Sequence, residues 1–534
     1  MSDKNKITRR QFFKDTAVVV GAGAAATAGF GSLTATRAAV LENWDKEADV
    51  IVVGSGPTGL PAAIAAFENG ASVIMLEQGK EVGGCGVIAA GILDIGGGTR
   101  IQKINNVPDS PDLLFERLSN YKDRDSKRND PAILRAFCDA NPGTLDWLEQ
   151  RGVRFMNILS PATGSDPMHK AQYHYILVDK EGPGASFFKS SEGVTSGAGL
   201  IKPLEFYAKE KGVKILVEHK MTRIIRKGGT AGRVLGVEVQ AGGSKLYFKA
   251  RKAVILGSGG WKGHKFLRKL FDSRLTEDLP ASGEPFVNPD GSGIQAGLEV
   301  GSVLKSDMTV DIALFRRKFG TKHYNFPLNS PYGAPGLAIA GPRMADVIFV
   351  NKFGMRYVNE EDSPSLGTYS FFDASLSQED HMLWTIFDDA AAKKHKWNPN
   401  PPVTEEGSAF GAPTLAELAK GIHVPGDSLA ETVQKYNTYV EAGTDPDFSK
   451  PQNLLKSKIQ TPPFYAVWIS LYVHDTCGGL AVNAKSQVLD ICGEVIPGLY
   501  AGGEAAGGLS TVGMPRAIIT GRIAGENAAA EKPA

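Results

Sequence analysis

The stretch that most constrains this chain runs from Ala48 to Glu77. Ala48-Asp49-Val50-Ile51-Val52-Val53 is a short, nearly continuous apolar run, the pattern of a parallel strand buried on both faces. It meets Gly54-Ser55-Gly56-Pro57-Thr58-Gly59. An Ala-rich helix is expected from Leu60 to Asn69, closed by Gly70, and Ser72–Leu76 reads as a second strand ending in Glu77. In a strand–turn–helix–strand unit the three glycines have separate tasks. Gly54 permits the tight turn, Gly56 lets backbone approach a pyrophosphate, and Gly59 allows the helix to pack closely. The helix N-terminus, beginning near Thr58, offers unpaired N–H groups to phosphate. Glu77, eighteen residues past Gly59, stands where a carboxylate can hold a ribose hydroxyl pair. The unit predicts an α/β fold with a doubly wound, Rossmann-like dinucleotide-binding domain.

Two further glycine turns fall far downstream. Val213–Val217, Thr222–Ile225, Gly236–Val239 and Tyr247-Phe248 read as strands, and Lys252–Leu256 then runs into Gly257-Ser258-Gly259-Gly260. Near the end, Gly498–Ala501 leads into Gly502-Gly503-Glu504, and a helix is expected around Gly521–Ala528 with its N-terminus toward the ligand. Glycine turns spread this widely imply one nucleotide-binding domain interrupted by an insertion. The expected parts are a first half at 48–264, an inserted α+β capping region at 265–454 and a second half at 455–534. The insertion is aromatic-rich (Phe315, Phe319, Tyr324, Phe326, Tyr332, Tyr357, Tyr369, Phe371 and Phe372). It carries a Pro/Asn-rich loop at Asn325–Pro335 and a helix pair at Leu415–Lys420 and Ser428–Glu441.

Residues 1–38 are read apart from the fold. Thr8-Arg9-Arg10-Gln11-Phe12-Phe13-Lys14 precedes a weakly apolar Ala/Gly run to Leu33, the pattern of a twin-arginine export signal. Leucine and isoleucine are too scarce there for a stable membrane span, and no later run is long and apolar enough for one. A periplasmic or otherwise exported location is expected. The formal net charge is +1, and the export segment holds six Lys/Arg against two Asp, so the remainder is slightly acidic. That balance argues against nucleic acid as a partner. Four cysteines without a C-x-x-C exclude a disulfide scaffold and a dithiol site, and the missing C-x-x-C-H excludes an attached c-type haem.

These segments resemble the flavoproteins of the fumarate reductase, succinate dehydrogenase and 3-ketosteroid dehydrogenase superfamily. The matching pieces, in family order, are Val53–Gly59, Gly83-Gly84, Ala253–Gly260, Asp290–Gly293, Val350–Glu360, His474–Leu480, Gly498–Glu504 and Gly521–Gly525. The resemblance implies FAD, and hydride transfer between flavin N5 and a C–C or C=C bond next to a carbonyl or carboxylate. It places Glu77 and the first glycines on the ADP moiety, and Gly83, Gly84 and Glu504 along the ribityl and flavin portion. Gly260 and Gly503 join that contact set. Cys85 and Cys477, each inside a glycine turn, read as small residues packed on the flavin. The family's covalent link uses a His near Gly83; none occurs here, so non-covalent FAD is expected.

The resemblance also shows departures. The reductases place a proton-donating Arg shortly after the segment matched by Asn359-Glu360, where this chain has Glu361-Asp362-Ser363-Pro364-Ser365. A second, carboxylate-clamping Arg corresponds to Gly508, with Arg516 eight positions later, and the steroid dehydrogenases' Tyr is absent from Ala505–Pro515. Fumarate is therefore not the expected substrate. The remaining catalytic candidates are His474, matching a substrate-bonding His; Arg343, matching a proton-relay Arg; and Arg516, suited to clamp a carboxylate or steady a reduced flavin. Tyr357 and Tyr369 could donate a proton, although core packing is the commoner use of such rings. No metal site is assigned. A small unsaturated or ketone substrate is expected, in either reaction direction, with a separate cytochrome or quinone as electron partner. A 3-ketosteroid-dehydrogenase-like enzyme and a flavin subunit of an exported redox complex are the alternatives.

Overall fold

The first strand, Lys46–Val53, is the hub of an eight-stranded sheet. Val73–Leu76 and then Lys214–Leu216 lie parallel on one side of it. The last part of the long strand Ser244–Leu256, then Val495–Ala501, lie parallel on the other. Gln487–Leu489 closes that edge antiparallel, and His219–Arg226 with Val234–Ala241 form an antiparallel extension on the first half of Ser244–Leu256. Val50, Ile51 and Val52 have no exposure, which explains why the run is apolar without alternation. The computed structural model describes residues 43–120, 129–159, 173–178, 189–190, 193–283, 287, 289–305, 310–315, 345–360, 369–397, 409–511 and 513–533. Residues 1–42 (which include the expected export signal), Arg343, the loop 325–335, and Phe319, Tyr324, Phe326 and Tyr332 lie outside them.

The expected elements of the first unit form within two residues of their sequence bounds. The helix is Gly59–Glu68, and its first eight residues are all buried. It is covered on both sides because the sheet lies beneath it and the C-terminal helix, Met514–Ala530, packs on it. That second helix corrects an expectation. It begins at Met514, about two turns before Gly521, so Gly521 and Gly525 are interior. A β-carbon at Gly521 would lie 2.4 Å from Thr58 O, and one at Gly525 2.2 Å from Ala62 O. A glycine inside a helix costs about 1 kcal/mol relative to alanine. Here the pair permits backbone-to-backbone contact of two helices, and neither glycine faces a ligand.

Strands of the insertion pair antiparallel around one strand that lies beyond residue 454. That strand is Phe464–Thr476, flanked by Val310–Phe315 and Leu383–Asp388, with Ile348–Asn351 beyond and Ala409–Ala412 on the strand's first residues. The helix pair is Leu415–Gly421 and Gly426–Ala442. Leu418, Leu429, Val433 and Tyr436 from these helices cluster with Ile348, Trp384 and Ile386 from the sheet. The central strand continues through His474 and Asp475 to Thr476, well past residue 454, and delivers those three residues to the nucleotide-type sheet. No helix among the described residues is long and apolar enough to cross a membrane.

Candidate functional site

Strand order creates the crevice. From the first strand the chain crosses by the helix Gly59–Glu68 to Val73–Leu76 on one side, while Ser244–Leu256 lies on the other. The loops leaving these strands diverge at that switch point, where α/β sheets bind ligands. The three glycine turns meet there, and Thr58 is their common contact. A β-carbon at Gly503 would lie 2.2 Å from Thr58 Oγ1, one at Gly257 3.4 Å from Thr58 Cβ, and one at Gly502 3.1 Å from Thr58 Cγ2. Gly54 (φ +93°) has the same constraint, since a β-carbon would lie 2.4 Å from Gly257 O. At Gly59 it would lie 1.8 Å from Gly54 O.

Gly56 and Gly84 differ from these. Around a β-carbon at Gly56 the nearest atom is Gly83 O at 3.7 Å, and at Gly84 it is Gly56 Cα at 3.8 Å. Protein atoms leave this gap open, and it lies beside the N-terminus of the helix, whose cap Thr58 makes no side-chain capping bond. The gap therefore fits a pyrophosphate held by backbone. On its far side Glu77 Oε2 accepts from Ser55 N (3.0 Å) and Ser55 Oγ (2.6 Å), and Oε1 accepts from Gly79 N (2.7 Å). Ser55 Oγ in turn accepts from Gly83 N at 3.1 Å. A carboxylate has about four acceptor positions, so Glu77 can fix the turn and still take a ribose hydroxyl.

At the opposite end the crevice is lined by charge. Lys262, just past the turn Gly257–Gly260, is 1% exposed at its side chain. Its ammonium donates to His474 O (2.9 Å) and lies 3.4 Å from Glu504 Oε1 and 3.5 Å from Asp475 Oδ1. Glu504 Oε2 accepts from Thr476 N (3.0 Å) and Thr476 Oγ1 (2.9 Å). Gly260 makes room for this, because a β-carbon there would lie 1.8 Å from Thr476 Oγ1 and 2.6 Å from Glu504 Oε2. Burial disfavours the charge on Lys262, but Glu504 and Asp475 outweigh it and hold the ammonium above its usual range. Burial likewise opposes ionisation of Asp475; His474, Lys262 and Arg516 outweigh it and hold the carboxyl well below its usual range.

The expected residues thus divide. Gly54, Gly56, Thr58, Gly59, Glu77, Gly83 and Gly84 come together at one end of the crevice, Gly503 sits between the ends against Thr58, and Cys85, Gly260, Glu504, His474 and Arg516 lie toward the other. Burial pushes the Cys85 thiol up, so it packs as a neutral group. His474 projects a side chain that is 31% exposed and meets the Tyr472 ring edge to face at 5.6 Å. Arg516 is buried, with Nη2 donating to Thr476 O (2.6 Å) and Nη1 to Leu509 O (3.3 Å). Arg516 was read as a carboxylate clamp; two of its N–H groups are engaged by carbonyls of the chain. Tyr357 OH pairs with Ser375 Oγ at 3.2 Å within the core, the structural alternative for that ring. Ser55, Lys262, Asp475 and Thr476 were not singled out from the sequence. Lys262 had a signal, being a cation directly after a glycine turn at the carboxyl end of a strand.

The site has the form of an FAD-binding oxidoreductase, and a family model described as FAD binding domain matches residues 49–514. The chain belongs to this family. It is 28% identical over 488 residues to the fumarate reductase (cytochrome) of Shewanella frigidimarina, covering 90% of this chain and 77% of that protein. It is 27% identical to the acrylate reductase flavoprotein subunit of Shewanella woodyi, covering 98% and 99%. The fold is shared with the 3-ketosteroid-Δ4-(5α)-dehydrogenase of Rhodococcus jostii RHA1 (TM-score 0.69, 24% identity, covering 92% and 99%). The expected superfamily, fold class and FAD are borne out. The protein is an FAD-dependent oxidoreductase.

Proposed function

We propose that the protein reduces a carbon–carbon double bond conjugated to a carbonyl or a single carboxylate, with electrons from a separate redox partner. Bound FAD supplies the hydride chemistry. Gly56, Gly84 and the N-terminus of the first helix hold the pyrophosphate, Glu77 the ribose, and Gly260, Gly503 and Glu504 line the flavin end. His474 contacts the substrate. The observation that carries the substrate class is Arg516, whose guanidinium is bonded to Thr476 O and Leu509 O while the ionised Asp475 lies beside His474. A second carboxylate on the substrate would meet a negative neighbour at this end of the crevice, while Arg516 is buried and already donates to two carbonyls. The insertion sheet, which carries His474 into the crevice, acts as the cap that excludes water from a larger and less charged substrate.

The reading as the flavin subunit of a redox complex draws on a separate observation. The acrylate reductase flavoprotein subunit matches this chain nearly end to end. The Arg9-Arg10 motif supports export of the folded holoprotein, with a cytochrome or quinone as the outside electron source. The test is anaerobic photoreduction of the FAD-loaded protein, followed by mixing with fumarate, monocarboxylic enoates, enones, a 3-ketosteroid and quinones. Reoxidation by an enoate or enone faster than by fumarate supports the proposal. Fumarate as the fastest acceptor overturns the substrate class, and reaction with redox proteins alone favours the subunit reading.

A further inference from the structure

Among the described residues, Asp475 is a charged group at the redox end with one oxygen left without a hydrogen-bond partner. Its Oδ1 faces the Lys262 ammonium at 3.5 Å. Its Oδ2 is sealed from solvent, lies against the Gly513 amide, and receives no hydrogen bond of normal geometry. A buried carboxylate oxygen left in this way is destabilising until a donor reaches it. The side-chain nitrogen positioned to satisfy it is His474 Nδ1, at 4.0 Å. A modest turn of the imidazole closes that gap, and hydrogen bonds of this kind are often long before substrate binds. The backbone of His474 cannot follow, because its carbonyl accepts from Lys262 Nζ (2.9 Å) and Ser282 Oγ (2.7 Å). The ring thus stands over a fixed main chain, with Nδ1 toward Asp475 and a side chain that is 31% exposed.

We propose that His474 is the proton donor of the reaction and that Asp475, itself fixed by Lys262, is the positioning residue that keeps its Nδ1 protonated and its Nε2–H directed at substrate. This rests on the reading of the protein as a double-bond reductase. In that direction the hydride delivered by bound FAD forms a C–H bond at the β-carbon, and the π pair moves to the α-carbon, where the conjugated carbonyl stabilises it. The Nε2–H bond then breaks and the proton forms the second C–H bond. The nitrogen keeps the electron pair, and solvent reprotonates the ring through its exposed edge. Two electrons leave the cofactor and two enter the substrate. The same arrangement accepts a proton in the reverse, dehydrogenating direction. The charged and titratable groups facing the pair are Lys262 from the second glycine turn, Glu504 from the third, Arg516 from the C-terminal helix and Cys85 from the first unit. Against these two cations stand Glu504 and Asp475 itself, and Asp475, with Oδ2 4.0 Å from His474 Nδ1, is the adjacent charge that favours an imidazolium.

The test is an NMR titration of the FAD-loaded, oxidised protein carrying ¹⁵N-histidine, with His474→Gln to assign the signal. His474 should hold its proton to a pH above the ordinary imidazole value of about 6.5. In Asp475→Asn that titration should fall by about one unit, a tenfold change, and the basic limb of the kcat profile should move with it. Asp475→Glu should restore both. A His474 that titrates at or below the ordinary value in the unmutated protein overturns the proposal even if Asp475→Asn fails to fold. So does an unmoved titration in a folded, FAD-loaded Asp475→Asn. No substrate is needed for this reading, so its failure is distinct from failure of the acceptor panel.

Discussion

The two ends of the crevice are built on different principles. Around Glu77 the parts come from one contiguous stretch, Ala48 to Gly84, and the contacts are backbone N–H groups, the Ser55 hydroxyl and one carboxylate, partly open to solvent. Around Lys262 the parts come from four distant stretches: the turn at Gly257–Gly260, the strand Phe464–Thr476, the turn at Gly502–Glu504 and the helix Met514–Ala530. There the contacts are buried charges. The nucleotide end needs only a shape that recurs wherever a pyrophosphate is held. The redox end must set the electrostatics of a reaction, which takes charges held at fixed distances in a medium of low polarity.

Four substitutions would break or sharpen that contrast. The largest effect is expected at Lys262→Met, which leaves Asp475 and Glu504 buried without their cation. Removing one partner of a buried pair costs about 3–5 kcal/mol, so denaturant unfolding should show a loss of that order at neutral pH. The loss should shrink as pH falls and the carboxyls can protonate. A loss below about 1 kcal/mol would mean that water screens this end as it does the other. Next is Gly84→Ala. Its β-carbon meets no protein atom closer than 3.8 Å, so the apoprotein should lose only about 1 kcal/mol for the positive φ of 49°. FAD affinity should drop far more, about a hundredfold, because the added methyl enters the gap assigned to the pyrophosphate. Titration of apoprotein with FAD reads the two effects apart.

Glu77→Gln should be milder. The amide keeps one acceptor oxygen, for the Ser55 donors, and turns its NH2 toward the Gly79 N–H, so FAD should bind about tenfold more weakly, the worth of about 1.4 kcal/mol. The smallest effect belongs to Asp49, at the opposite end of the first strand, which accepts from Ser72 N (2.8 Å) and Arg251 Nε (3.0 Å). Burial opposes its ionisation, yet the Arg251 guanidinium and the Ser72 donors bring its pKa from 3.8 to about 2. A lowered folded-state pKa means that the stability is present above the unfolded value and lost as pH falls through the folded one. The difference between the unmutated protein and Asp49→Asn in acid unfolding should therefore vanish between about pH 4 and about pH 2.

The same contrast explains what could be read from the chain. The first unit was legible because its strand, turn, helix and acidic residue are contiguous, and each carries a local signal. The helix pair at 415–442 was legible for the same reason. The role of Gly521 and Gly525 was not, since a glycine that admits a neighbouring helix reads like one that admits a ligand. Lys262 was missed because burial of a lysine depends on residues more than two hundred positions away, at Asp475 and Glu504. Arg516 was placed near the site, but the carbonyls that occupy its fork are a tertiary fact. Asp475 stood inside a quoted motif without attracting notice, because nothing local distinguishes it from a surface aspartate.

The midpoint potential of bound FAD tests most directly whether the charged end is the redox end. It would be measured in the unmutated protein and in Lys262→Met, Glu504→Gln and Glu77→Gln, each carrying FAD. Removing the Lys262 cation should shift the potential to more negative values, since it disfavours the added electrons. Removing the Glu504 anion should shift it to more positive values, and Glu77→Gln should leave it in place while weakening FAD binding. A shift at Glu77→Gln as large as the other two, or no shift at either Lys262 or Glu504, would contradict the account.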